Sequence, residues 1–130
     1  MWLYKIIMFN LLTVDDEKDT EILFKHFFRK EIQSGVMSLY FEPSAQKGLL
    51  RLKELEGHTI VLTDINMPDM SGLELLKQIS ISYPKIKVFL VSAYDKHKFN
   101  DDMQKYGAEG YVSKPIDFNQ LKKIIFQVIF

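Results

Sequence analysis

The chain has 130 residues, with 17 basic side chains set against 17 acidic ones and no cysteine. That is the size of one domain, and a 47% hydrophobic fraction suffices for a packed core. Zero formal charge gives no electrostatic reason to expect nucleic acid or an acidic membrane surface as a partner, and the missing cysteine excludes disulfides, thiol nucleophiles and thiolate metal sites.

Residues 1–8 are an apolar lead-in, native or vector-derived, with Met8 an equally good start. The stretch lacks a positive n-region and a small-residue cleavage site. It is also shorter than the ~20 residues a membrane-crossing helix needs. A cytoplasmic protein is therefore expected. Residues 9–14 read as a first strand. A helix over 17–33 follows, carrying Leu23, Phe24, Phe27, Phe28 and Ile32 at three- and four-residue steps. Asp16 or a neighbour is placed to cap it, and Gly35 lies beyond its end. Residues 37–41 are a short strand. Pro43-Ser44 opens a second helix to about Leu55, in which Gly48 costs roughly 1 kcal/mol relative to Ala.

Ile60-Val61-Leu62 lies in an unbroken apolar strand of residues 59–63, the pattern of a strand buried on both faces. Residues 67–72 are loop by composition, with Ser71-Gly72 read as turn chemistry. A third helix covers 73–82 and stops at Tyr83-Pro84. Strand 88–91, helix 99–106 ending at Gly107, strand 110–112 and a last helix capped by Asp117 complete the chain. Five strands alternating with five helices predict a parallel sheet covered on both faces, one doubly wound domain over residues 9–130.

In such a sheet, residues just past the carboxyl ends of the strands converge on one crevice. Asp15 and Asp16 follow the first strand, Asp64 the third and Lys114 the fifth. Three carboxylates brought together repel one another unless a cation joins them. Magnesium suits such oxygen donors, with the Asn66 backbone carbonyl near enough in sequence to add one. Asp64 is then a usable nucleophile toward a phosphoryl group, with Lys114 supplying a compact charge to its oxygens. Taken singly, Asp15-Asp16-Glu17 is more often a helix cap and Lys114-Pro115 a weak signal; the combination is what carries weight. His26, His58 and His97 have no partner histidine at ligand spacing. No Gly-rich phosphate loop is present.

The segments LLTVDDE (11–17), LTDINMP (62–68), VSA (91–93) and GAEGYVSKP (107–115) resemble the receiver domain of bacterial two-component response regulators, of the chemotaxis-receiver type. The likeness runs from about residue 9 to 130. It implies a flavodoxin-like fold of five parallel strands in the order 2-1-3-4-5. It implies a phosphoacceptor switch, taking a phosphoryl group on Asp64 from a sensor histidine kinase or a histidine phosphotransfer protein. Asp15, Asp16, Asp64 and the Asn66 carbonyl would hold Mg2+ or Mn2+. Ser92 would be the hydroxyl that turns toward the phosphoryl group, and Tyr111 the aromatic whose ring then changes burial. Asn66, Ala93 and Tyr94 would form the rim of the phosphoryl pocket, where the Tyr94 ring could screen the acyl phosphate from water.

The resemblance further implies self-phosphotransfer and slow autodephosphorylation rather than turnover of a separate substrate. It implies an output face made by the fourth helix, fifth strand and fifth helix, used toward an output domain, a partner or a second copy. Two alternatives compete. A haloacid-dehalogenase-like phosphatase wants a second acid two residues after its nucleophile, where this chain has Asn66, and it wants a cap-domain insertion. A receiver-like module that only binds proteins would have no use for the complete set Asp15, Asp16, Asp64, Ser92 and Lys114.

Overall fold

The computed structural model describes residues 8–129. The apolar lead-in read over residues 1–8 lies outside them except for Met8, whose side chain is exposed. Five parallel strands form one sheet: β1 (Phe9–Val14), β2 (Met37–Glu42), β3 (Thr59–Asp64), β4 (Lys87–Ser92) and β5 (Gly110–Ser113). Their spatial order is β2-β1-β3-β4-β5, and every pair is parallel. This is the doubly wound sheet that the alternation predicts, in the flavodoxin-like strand order that the resemblance implies.

Period-two alternation builds two cores. Leu11, Ile60, Leu62, Phe89 and Val91 face one side of the sheet. Leu12, Val14, Val61, Val88 and Leu90 face the other. The first side is covered by α1 (Asp19–Phe27), α2 (Arg29–Gln33) and α6 (Phe118–Ile129), through Phe24, Phe28, Leu121 and Ile125. The second is covered by α3 (Ala45–Leu52), α4 (Gly72–Ser82) and α5 (Asn100–Tyr106), with Leu52, Leu75, Leu76, Ile79 and the preceding Phe99. Each such fully buried side chain contributes roughly 1.5–3 kcal/mol of transfer free energy before chain entropy is subtracted.

Local details depart from the predicted elements for identifiable reasons. The first helix is two pieces, bent at Phe28 (φ −103°, ψ 17°). The ammonium of Lys122 on α6 donates to the Phe27 carbonyl at 2.7 Å, pairs with Glu31 at 3.3 Å and lies over the Phe28 ring. A side chain that claims a helix carbonyl is a recognised cause of a bend. The helix also begins at Asp19 and neither Asp16 nor a neighbour caps it: the N-cap position is taken by Lys18, whose side chain has no acceptor to offer. A 3-10 turn, Lys96–Phe99, precedes α5. Gly48 does more than weaken α3: a Cβ there would stand 3.0 Å from Val14 Cγ2, so glycine lets the helix approach β1.

Candidate functional site

The chain crosses from β1 to β2 on one flank, then returns over β1 to β3. The winding therefore reverses between β1 and β3, and a crevice opens at their carboxyl ends. Asp15 directly follows β1 and Asp64 ends β3. Carboxylate oxygens of Asp15, Asp16 and Asp64 all lie within 4.8 Å of one another. Lys114, just past β5, reaches across: its Nζ is 2.9 Å from Asp64 Oδ2 and 3.7 Å from Asp15 Oδ2. Its backbone N–H bonds the Ser92 carbonyl, tying the fifth strand end to the fourth. The Lys114-Pro115 peptide is cis.

The acids differ in exposure. Asp15 and Asp64 are 5% and 6% exposed, whereas Asp16 is open to solvent. Backbone donors fix both buried carboxylates: Glu17 N–H to Asp15 Oδ1 at 2.8 Å, and Asn66 N–H to Asp64 Oδ1 at 3.2 Å. Burial raises the Asp15 carboxyl above its ordinary range, helped by the Asp64 and Glu17 charges and opposed by the Glu17 N–H and by Lys114. For Lys114, burial works to lower the ammonium, but its bond to Asp64 and the charges of Asp15, Asp64 and Glu17 hold it above the usual lysine range. Lys114 therefore stays cationic at neutral pH, and the Asp15 carboxyl stays raised because burial opposes its charge more than Lys114 supports it.

The donor set fits a small divalent cation. Three carboxylates are hard oxygen ligands, two of them held in place, with the third open for exchange with water. A measurable consequence follows for the metal-free protein. A carboxyl raised on folding binds its proton more tightly in the native state, so stability falls as pH rises through that group's folded pKa. Asp15→Asn is expected to be more stable than the wild type at pH 7 in EDTA. The difference should vanish below the ordinary aspartate pKa and shrink in millimolar Mg2+. Urea unfolding under the three conditions measures it.

The remaining rim is built from β4. Ser92 is fully buried, and its Oγ accepts the Tyr94 N–H at 3.0 Å. The Tyr111 hydroxyl donates to the Tyr94 carbonyl. Its ring is half-buried and stacks on Phe99 with centroids 6.4 Å apart. The backbone of Tyr94 thus joins the two residues expected to switch. Ala93 lines the cavity of about 440 Å³ that also touches Asp15, Leu23, Lys114, Pro115 and Phe118. The Tyr94 ring does not line that cavity; it is 54% exposed and rests against Lys98. Asn66 is exposed beside Asp64.

One residue of the site is missed by reading the sequence. A Cβ on Gly72 would lie 2.2 Å from the Asp64 carbonyl oxygen and 2.9 Å from Ile65 Cα. Glycine is needed there so that the start of α4 can press against the backbone carrying Asp64, where Gly72 N–H bonds the Ile65 carbonyl. The capping pair Ser71 and Glu74, with its 3.2 Å bond, marks the helix start, but nothing in the sequence signals how close the strand comes.

Residues 11–126 match the model of the response regulator receiver domain. The chain belongs to that family. Receiver domains are the phosphoacceptor switches of two-component signalling, and membership decides against the phosphatase alternative. Among curated proteins, the chain is 27% identical over 116 residues to sporulation initiation phosphotransferase F of Bacillus subtilis, covering 89% of this chain and 90% of that protein. It is 29% identical over 120 residues to the DNA-binding transcriptional regulator NtrC of Proteus hauseri, covering 92% of this chain and 24% of the relative. Across the first curated relatives the chain spans from 19% to 51% of their length.

Solved structures agree on the fold. The signal receiver domain of an HD domain-containing protein from Pseudomonas fluorescens superposes with a TM-score of 0.83 at 21% identity, covering 99% of this chain and 91% of that one. Response regulator TrrA of Thermotoga maritima, in complex with Mg(2+)-BeF, gives 0.75 at 27% identity over 93% of this chain and 99% of its own. The receiver domain of Ssk1, from its Saccharomyces cerevisiae co-crystal with the phosphotransfer protein Ypd1, gives 0.80 at 20% identity over 95% and 90%. Among the described residues, no helix is long and apolar enough to cross a membrane.

Proposed function

We propose that Asp64 is the residue that accepts the phosphoryl group in this receiver. The observation that carries this reading is the 2.9 Å contact between Lys114 Nζ and Asp64 Oδ2 in a pocket where two further carboxylates converge. An Asp64 oxygen attacks phosphorus, the bond from phosphorus to the donor breaks, and the donor leaves with the electron pair. From phosphohistidine the leaving group is imidazole; from a small acyl phosphate it is a carboxylate. Lys114 faces the phosphoryl oxygens as they gather charge. Asp15, Asp16, Asp64 and the Asn66 carbonyl are the residues to hold Mg2+, or Mn2+ in its place. That ion, when bound, neutralises charge on the acids and the phosphoryl group.

Ser92 and Tyr111 then serve as the switch. A phosphoryl oxygen on Asp64 accepts from the Ser92 hydroxyl, which turns toward it and away from the Tyr94 N–H, and the Tyr94 backbone passes the change to Tyr111. This is a local charge change biasing a two-state element. Return occurs by slow self-catalysed hydrolysis, with no separate substrate turned over.

The donor is a histidine kinase or phosphotransfer protein. Its docking surface is the apolar wall beside the acids: Leu23, Pro115, Ile116 and Phe118 line the cavity, and the partly exposed Phe27 on α1 stacks on Phe118. The partnership of Ypd1 with the Ssk1 receiver supports this class of donor. Output passes through α5, β5 and α6 toward an effector domain, a separate partner or a second copy of the chain.

Acetyl phosphate and Mg2+ test the reading by intact mass. One added phosphoryl group, lost when EDTA replaces Mg2+, is expected. No added mass with Mg2+ demonstrably bound would remove the acceptor role.

A further inference from the structure

Tyr94, Asp95 and Lys98 form a unit outside the acidic pocket. Asp95 shapes the 3-10 turn: its carboxylate accepts the His97 N–H at 2.9 Å and its carbonyl the Lys98 N–H at 3.1 Å. The turn folds Lys98 back over the preceding residues. Its ammonium lies 4.8 Å from the Tyr94 ring centroid and 5.8 Å from that of Phe99. Phe99 stacks on Tyr111, whose hydroxyl returns to the Tyr94 carbonyl. The contacts form a closed circuit with Lys98 between two rings. An ammonium over an aromatic face is attracted to it electrostatically.

We infer that Lys98 is a positioning residue: it parks the Tyr94 ring on the 3-10 turn and so keeps the phosphoryl pocket open to water and to the donor. The inference rests on the acceptor reading above and adds a control on the lifetime of the acyl phosphate. The site geometry makes this control effective. Tyr94 follows Ala93, which does line the cavity, so its ring is one residue from the phosphoryl pocket. Rotation about the side chain then decides whether the ring stands over the turn or over the pocket. Parked, it leaves the attack path clear. A water oxygen attacks phosphorus, the bond from phosphorus to the Asp64 oxygen breaks, the carboxylate is regenerated and inorganic phosphate leaves, the excess proton passing to solvent. Released, the ring covers that path.

The test compares wild type, Lys98→Met, Lys98→Arg, Tyr94→Ala and the Tyr94→Ala/Lys98→Met double variant. Lys98 is exposed, so its replacement leaves the core intact. Each protein is loaded with acetyl phosphate and Mg2+, freed of donor, and followed by intact mass as the phosphoryl group is lost. Lys98→Met should shift the parked-to-released ratio by about two- to fivefold, the size an exposed cation–π pair can carry, and slow the loss by up to that factor. Lys98→Arg, which keeps the cation, should match the wild type. In the Tyr94→Ala background, Lys98→Met should change nothing. An unchanged lifetime in Lys98→Met overturns the inference, and so does an effect that persists without the Tyr94 ring. If the wild type itself takes up no phosphoryl group, the acceptor reading fails and the clasp falls with it.

Discussion

Asp64→Asn is expected to reduce phosphoryl uptake to background. The substitution keeps the size and shape of the side chain, so the buried end of β3 stays packed. What changes is the chemistry. An amide oxygen carries no negative charge and is a poor nucleophile, and the charge-assisted bond from Lys114 Nζ at 2.9 Å is weakened. Neither neighbouring acid is arranged to substitute. Asp15 has one oxygen held by the Glu17 N–H, and Lys114 Nζ is 3.7 Å from its other oxygen. Asp16 is exposed, away from the backbone donors that orient the buried pair. Time courses of intact mass with acetyl phosphate and Mg2+ measure this. Uptake in the variant at the wild-type rate would mean that the acid cluster is not ordered around Asp64.

Lys114→Met should slow phosphoryl uptake by roughly 100- to 1,000-fold, the usual effect of removing one charged or hydrogen-bonding group aimed at developing negative charge. Methionine preserves the apolar stem and removes only the cation. The variant has a second, opposite signature. Lys114 contributes positive charge to a site where burial already raises the Asp15 carboxyl, so its loss leaves the acids more reliant on a divalent ion. Mg2+ should therefore bind more tightly to Lys114→Met while phosphotransfer falls. A general structural defect would lower both. Mg2+ titration beside the uptake time course separates the two outcomes, and an unchanged uptake rate would show that Lys114 does not serve the reaction.

Much of this was legible in the chain because the relevant signals are local. Apolar runs such as Ile60-Val61-Leu62 mark strands buried on both faces, and acids directly after such runs must emerge at one edge of a parallel sheet. The strand order then follows from the family resemblance rather than from periodicity. What escaped the sequence depends on contacts between distant segments. The bend at Phe28 arises because Lys122, on the last helix, claims the Phe27 carbonyl. The need for Gly72 arises from a backbone approach to Asp64. The position of the Tyr94 ring depends on Lys98 and a short 3-10 turn that carries no strong periodic signal. In each case the residue is visible in the sequence but its partner is fixed only by the fold.

The most direct measurement is the location of the phosphoryl group itself. After loading with acetyl phosphate and Mg2+, borohydride reduces an aspartyl phosphate to homoserine, and peptide sequencing by tandem mass spectrometry finds the converted residue. Conversion at Asp64 alone is the predicted result. Conversion at Asp15, Asp16 or any other acid, with Asp64 intact, would contradict the assignment of the acceptor.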